Sequence, residues 1–273
     1  MPRGSRRRVL AGLAVAVLAA LAACSAPAPG PRYPAAWRVM TWNVETHAHG
    51  PTEWADVVAR LRPDVLALQE ICAGEADELA AILQRDHGLA YRSVPDPIRP
   101  ATPEEAHAPV NAALGPTCDT GPDDVAFGLA VLSRLPVAGT TVTTFPPDRR
   151  DEQRGAMAVR VTTRSGATVT VHNTHIGLHG VQAEQIRRVA EDAAGTAPAV
   201  VLGDFNVEVG APELAPLRAG FVAVDPDGRY PTTAQGTIDH IFLRGLSPVG
   251  PPEAPDVTAS DHRPLVADLR LDG

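Results

Sequence analysis

The chain has 273 residues, enough for one large domain with a substantial core, and carries 24 basic against 32 acidic side chains for a net charge of −8. Every basic residue is arginine; the absence of lysine excludes a phosphate-binding P-loop lysine and any Schiff-base mechanism. The acidic balance argues against unaided gripping of a nucleic-acid backbone or an anionic lipid surface, whose phosphates are ordinarily met by Lys and Arg.

In chain order, Ser5-Arg6-Arg7-Arg8 leads into an apolar stretch, Val9 to Ala23, that ends at Leu21-Ala22-Ala23-Cys24. A basic start, a short apolar region and small residues before a break predict an export signal over residues 1–23. Its apolar part is shorter than the ~20 residues that span a bilayer, which leaves a short signal anchor as the alternative. The serine and paired arginines resemble a twin-arginine export signal, and Leu-Ala-Ala-Cys resembles a bacterial lipoprotein cleavage box. That resemblance implies a mature protein beginning at a lipidated Cys24, anchored at the outer face of the cytoplasmic membrane or in the cell envelope. Residues 1–23 hold four arginines and no acid, so their loss would take the net charge from −8 to −12. Of the three cysteines, lipidation of Cys24 would leave Cys72 and Cys118, either bridged or as two free thiols. The proline-rich segment 24–36 reads as a semi-extended tether.

The domain proper is expected over 37–273. A strand through Arg38 to Val44 precedes a helix from about Thr52, in which Trp54, Val57, Val58 and Leu61 form a single apolar stripe that Pro63 ends. A strand over Asp64 to Glu70 and a helix from about Glu75 to Arg85, with Leu79, Ile82 and Leu83 inward, follow. Pro95 to Asp124 holds seven prolines and no strong periodicity, which predicts a long loop that is functional or disordered. Strands then recur without helices: Phe127 to Ser133, Val137 to Phe145, Gly155 to Thr163 and Ala167 to His175. Their hairpin-like spacing, with a turn at Ser165-Gly166, predicts antiparallel pairing. A helix over Val181 to Ala194 stops at Gly195. Strands over Ala199 to Asn206, Thr237 to Leu243 and Pro264 to Leu271 complete a single mixed α/β domain, with a short helix suggested by Pro212 to Leu217.

A pattern recurs at the strand ends. "TWNVE" ends in Asn43 and Glu45, "LALQE" in Gln69 and Glu70, "VHNTH" in Asn173 and His175, and "VVLGDFN" in Asp204 and Asn206. "GTIDHIF" places Asp239, and "TASDHRPL" places Asp261 and His262, at the start of the last strands. Catalytic groups are typically carried at the ends of rigid elements or on the loops beyond them. Carboxylates suit hard divalent cations such as Mg²⁺, with Mn²⁺ as the alternative, and such a cation offsets charge on a phosphoryl oxygen. An Asp can orient or deprotonate water, and a His held by a second Asp can donate to phosphate. A bland reading competes at each position: Asp204 and Asn206 could cap the helix at Pro212, Glu70 the helix after it, and Asp239 could serve backbone amides. His47, His49, His172 and His179 lack an H-E-x-x-H pattern and read as solvated or core residues rather than a zinc site. Trp37, Trp42 and Trp54 read as packing residues.

Taken in order, "TWNVE", "LQE", "NTH", "GDFN", "IDHIF" and "SDHRPL" resemble the endonuclease/exonuclease/phosphatase superfamily, from about Trp37 to Leu271. The resemblance implies an α/β four-layer sandwich, two packed mixed β-sheets flanked by helices, and a Mg²⁺-dependent phosphoester hydrolase. It implies that Glu70 is the principal metal ligand, with Asp261 near the metal and Glu45 in its shell. It implies that Asn43 holds the catalytic Asp204, that Asp204 activates water, and that Asn206 contacts the phosphate. His262, paired with Asp239, and His175 would face the scissile phosphate, and Arg154 resembles a family arginine entering a strand nearby. The substrate would be a phosphoester of nucleic-acid, phospholipid-headgroup or inositol-phosphate type, and the protein a monomer. Gly228 to Gly236, "GRYPTTAQG", lacks the tryptophan-rich stretch of the apurinic-endonuclease branch. A sphingomyelinase-type lipid phosphodiesterase and a non-catalytic binding lipoprotein on the same scaffold are the competing readings.

Overall fold

A computed structural model describes residue 33, residues 36–46, 48–97, 127–145, 154–178 and 180–273. The predicted export signal, nearly all of the tether, positions 98–124 of the predicted loop, His47, His179 and Cys118 lie outside these residues. Cys72 is disulfide-bonded; its expected partner, Cys118, is among the residues not described.

The chain runs β1 (Trp37–Asn43), α1 (Pro51–Leu61), β2 (Val65–Cys72), α2 (Ala73–His87), β3 (Arg92–Pro97) and β4 (Phe127–Ser133). It continues β5 (Val137–Thr144), β6 (Gly155–Thr162), β7 (Thr168–His175), α3 (Gln182–Ala194) and β8 (Ala199–Asp204). A 3₁₀ turn (Pro212–Leu214), α4 (Ala215–Gly220), β9 (Val222–Ala223), β10 (Asp239–Arg244), β11 (Leu246–Pro248) and β12 (Leu265–Leu271) complete it. Two six-stranded sheets result, in the orders β11-β12-β1-β2-β4-β3 and β5-β6-β7-β8-β10-β9. Each is mixed: β1–β2 and β7–β8 are parallel and the other pairs antiparallel.

Alternation along the strands explains the layers. Val39 of β1 joins Val65, Val131, Val159, Val171 and Leu202 in the core between the sheets. Met40 and Trp42, pointing the other way, pack with Trp54, Val58, Leu61 and Leu79 of α1 and α2. Beyond the second sheet, Ile186, Val189 and Leu217 of α3 and α4 close over Val201 and Phe242. Strands buried on both faces read as continuous apolar runs, which is why β2 and β8 were easily legible. The predicted α1 stripe is buried as expected, and each of its large side chains contributes about 1.5–3 kcal/mol.

The sequence reading needs correction in four places. The predicted loop begins too early: Pro95 and Pro97 belong to β3, which among the described residues is an edge strand paired with β4 alone, where a missing N–H is tolerated. The helix-free strand series is not one ladder: β4 pairs with β2 and β3, while β5 opens the second sheet and pairs with β6. The short strands β9 and β11 were not foreseen; two or three residues carry no periodicity to read. The helix after "GDFN" starts as the 3₁₀ turn, and its N-cap, Ala211, receives no side-chain bond, so neither Asp204 nor Asn206 caps it.

Both parallel pairs end at the same pole. β1 and β2 deliver Asn43 opposite Gln69, and β7 and β8 deliver His175 opposite Asp204. β10 runs the other way and therefore begins there, with Asp239 opposite Asp204.

Candidate active site

Glu70 sits within β2 at a bulge, where the register with β4 shifts between Gln69 and Ile71. Its backbone is left-handed (φ 52°), as are those of Glu45 (φ 48°) and Asn206 (φ 51°). Among the described residues only Arg62, the C-cap of α1, shares that conformation without glycine. Such backbone costs of order 1–3 kcal/mol per residue and collects where geometry matters more than comfort. It turns Glu70 inward rather than along α2. The cap of that helix is made instead by Glu75, whose Oε2 accepts the Cys72 N–H at 3.1 Å. Gly203 has a related origin. Its φ is 147°, and a Cβ there would lie 1.9 Å from the Thr174 carbonyl oxygen, so β8 can approach β7 only with glycine before Asp204.

Asn43 links the sheets. Its Nδ2 donates to Glu70 Oε1 at 3.0 Å and to Asp204 Oδ2 at 3.1 Å, and its Oδ1 accepts the Glu45 N–H at 3.2 Å. Asp204 Oδ1 accepts the Asn206 N–H at 2.9 Å. His262 Nδ1 lies 2.8 Å from Asp239 Oδ2, and its Nε2 faces Asp204 Oδ2 at 3.8 Å. His175 Nε2 is 3.4 Å from Asp204 Oδ2, 3.8 Å from Glu70 Oε1 and 3.3 Å from Asn206 Nδ2. Arg154, entering β6, lays its Nη1 against the same ring, 2.8 Å from Nε2 and also touching Nδ1.

The loop that carries His262 is clamped to the first sheet. Ser260 Oγ donates to the Asn43 carbonyl at 2.7 Å and accepts the His262 N–H at 3.0 Å. The indole N–H groups of Trp42 and Trp54 donate to the carbonyls of His262 (2.9 Å) and Ala259 (3.2 Å). These two tryptophans therefore orient the loop as well as fill the core, a duty that packing periodicity does not reveal.

Electrostatics assign distinct states to the two imidazoles. Burial works against a charged His262, but the hydrogen bond and charge of Asp239, with Asp204 and Asp261 near, outweigh it and raise its pKa to about 10. Burial, then Arg154 and His262, hold His175 well below the ordinary value, so it is neutral. Burial and the Asp239 charge push Asp204 up to about 7, against the opposing pull of His262, the Asn206 N–H and Asn43. His262 is thus a proton donor facing a carboxylate that is reluctant to ionise.

All nine predicted residues fall at this pole. Asn43, Glu70, His175, Asp204, Asn206, Asp239 and His262 form one connected set. Glu45 and Asp261 stand at its rim, joined by the Asp261 N–H donating to Glu45 Oε2 at 3.1 Å. Among the described residues one group of metal-ligand type occurs, Asp204, Asp239 and His262, with ligand atoms within 4.8 Å of one another. Its imidazole is held protonated by Asp239, which suits it to proton handling rather than to ligation. The carboxylate suited to a hard cation is Glu70, which is part-exposed and has Asn43 on Oε1. The residues present fit a cation: five carboxylates collect at one pole, and Asp239 Oδ1 is buried without a hydrogen-bond partner among the described residues. His49 pairs with Glu53 and also lies 4.0 Å from the rim carboxylate of Glu45, while His172 pairs with Thr196. Gln69 and Asn173, singled out at strand ends but given no role, lie beneath the site.

The sequence model described as the Endonuclease/Exonuclease/phosphatase family matches residues 40–262, a span that holds every residue of the set. No curated protein gives a significant match. Among solved structures, the chain is similar to an endonuclease/exonuclease/phosphatase from Beutenbergia cavernae, at 22% identity over 87% of this chain and 72% of that one (TM-score 0.64). It is similar to the human Nocturnin catalytic domain with bound sulfate, at 21% identity over 87% and 94% (TM-score 0.63). It is also similar to a mannosyl-6-phosphatase from Bacteroides thetaiotaomicron, at 16% identity over 86% and 100% (TM-score 0.62). At such identities these likenesses speak for the shared fold.

Proposed function

The chain belongs to the endonuclease/exonuclease/phosphatase family, and from that premise we propose that it hydrolyses phosphoesters with the help of a bound divalent cation, Mg²⁺ or Mn²⁺. The observation that carries this reading is the His262 imidazole, fixed by Asp239 at 2.8 Å and turned toward Asp204 at 3.8 Å. Glu70 would hold the cation, with Glu45 and Asp261 beside it. When bound, the cation offsets the negative charge that grows on the phosphoryl oxygens.

The remaining work falls to the chain's own groups. Asp204, aimed by Asn43 and the Asn206 N–H, orients the attacking water and takes its proton. His262 donates Nε2–H to a phosphoryl oxygen. Neutral His175 and the Asn206 carboxamide meet the other oxygens, with the Arg154 guanidinium behind the ring as the fixed positive charge. The two indole clamps and Ser260 keep His262 in place through turnover. Because the signal-like segment ends at Cys24, we place the enzyme outside the cytoplasm, held to the membrane by lipid on that cysteine.

Purified protein should turn over bis-p-nitrophenyl phosphate with Mg²⁺, stop in EDTA and resume on re-addition. Asp204→Asn and His262→Ala should each lower kcat by about 10²–10⁴-fold. A panel of plasmid DNA, RNA, sphingomyelin, inositol phosphates and sugar phosphates would then identify the substrate class. Absence of turnover on every member, with either cation, would overturn the proposal.

A further inference from the structure

Directly beneath the site, the apolar layer between the sheets is interrupted by three buried polar side chains. Gln69 Nε2 donates to Asn173 Oδ1 at 2.7 Å and to Thr41 Oγ1 at 3.0 Å. Asn173 Nδ2 donates across the layer to the Leu68 and Ala130 carbonyls at 2.9 and 3.0 Å. Every amide proton of the two carboxamides is used, and Thr41, Gln69 and Asn173 are fully buried.

Resting on the active-site reading above, we propose that Gln69 and Asn173 are positioning residues. Their paired carboxamides set the register between the two sheets, and with it the placement of Glu70 against His175 and Asp204. Gln69 is the last regular residue of β2 before the Glu70 bulge. Asn173 stands two residues before His175 on β7, so both side chains share the inward face. Glu70 therefore hangs from one end of the bond and His175 from the other, 3.8 Å apart across the sheets.

Apolar packing alone supplies weak control here. The surrounding layer of Ala67, Val131, Val171 and Leu202 attracts without direction, so a small slide of one sheet over the other changes its energy little. Hydrogen bonds prefer narrow distances and angles, and five of them cross or flank this point. A fully satisfied buried network adds little net stability over an apolar filling but specifies one arrangement. Specification is what a site assembled from two separate sheets requires.

The test uses the full chain, bis-p-nitrophenyl phosphate and Mn²⁺. Gln69→Asn and Asn173→Gln each mismatch the reach of the pair; the double swap restores its total length. Each single variant should lower kcat about tenfold or more with KM changed less than about twofold, since misplacement of about 1 Å can cost 10²-fold. Mn²⁺ affinity, measured by calorimetric titration, should fall in the singles, and the swap should recover both quantities. Wild-type kcat and Mn²⁺ affinity in the folded singles, or a swap no better than either single, would overturn the proposal. If the singles do not fold, Thr41→Val decides: it removes one partner of Gln69 at nearly constant shape, costs some stability and should lower kcat in the protein that still folds. An unaltered kcat in that variant would count against the idea. A wild-type protein that turns over nothing would refute the proposed function, while the Mn²⁺ titrations would still judge the positioning role.

Discussion

At the scale of single residues, two buried histidines illustrate opposite uses of one side chain. His262 is held protonated by Asp239, so catalysis that needs its proton is lost as pH rises through its folded value of about 10. Asp239→Asn removes that support; the basic limb of the kcat–pH curve should move to lower pH, with kcat down by about 10²–10⁴-fold at its optimum. An unmoved basic limb would show that His262 is not the donor. His172, bonded to Thr196 at 2.8 Å, is lowered by burial to about 4 and stays neutral in the fold. The unfolded chain takes up that proton near pH 6.5, so the depressed value makes acid favour unfolding as pH falls from there toward 4. Over that window wild type should lose up to about 3 kcal/mol more than His172→Gln, in which the other buried histidines still respond to acid. Urea unfolding at pH 7 and pH 4.5 measures both; parallel losses in the two proteins would contradict this account.

At the scale of elements, the strand ends decide where chemistry can sit. β7 and β8 run in parallel and approach so closely at Thr174 and Gly203 that any side chain on Gly203 collides with backbone. Gly203→Ala should therefore destabilise the fold by at least about 3 kcal/mol through overpacking and strained φ, and displace Asp204 with it. Thermal unfolding checks this, and a wild-type Tm would refute it. The same elements show where reading a sequence succeeds. α1 and α2 announced themselves by a 3.6-residue stripe, β2 and β8 by unbroken apolar runs. β3 was misjudged because proline normally argues against a strand, and only its edge position in the sheet lifts that objection. The separation of β4 from β5 was invisible because Ser133 to Val137 looks like a hairpin connection whether or not the chain changes sheets.

For the whole molecule, the mixed sheets pack so that acidic, amide and imidazole groups from six segments meet at one pole of an acidic protein. The far end of β1 holds a different assembly: Arg38 is buried and forked onto Asp268 at 2.9 and 2.8 Å, and closed by Glu253 at 3.2 Å. Its burial opposes the charge, yet these bonds keep it ionised, which makes it a fixed structural pair remote from the site. Among the described residues no helix is long and apolar enough to cross a membrane. In a bacterial host that processes lipoproteins, activity of the full-length protein should sediment with membranes, and exchanging residues 1–24 for a cleavable export signal without the cysteine should release it to the soluble fraction. Identical fractionation of both forms would remove the lipid anchor from the proposal.

Local chemistry is legible in the sequence: the α/β class, the principal helices and strands, and the residue types Asn43, Glu70, His175, Asp204, Asp239 and His262 at strand ends. Those features are set by nearest-neighbour periodicity and by the order of motifs along the chain. The tertiary structure alone decided which sheet each strand joins, that Glu70 turns inward at a bulge, and that Trp42, Trp54 and Ser260 hold the His262 loop. It also decided which histidine is charged. These depend on contacts between residues up to more than two hundred positions apart, such as Trp42 with His262, where burial and neighbouring charge, not residue identity, set the outcome.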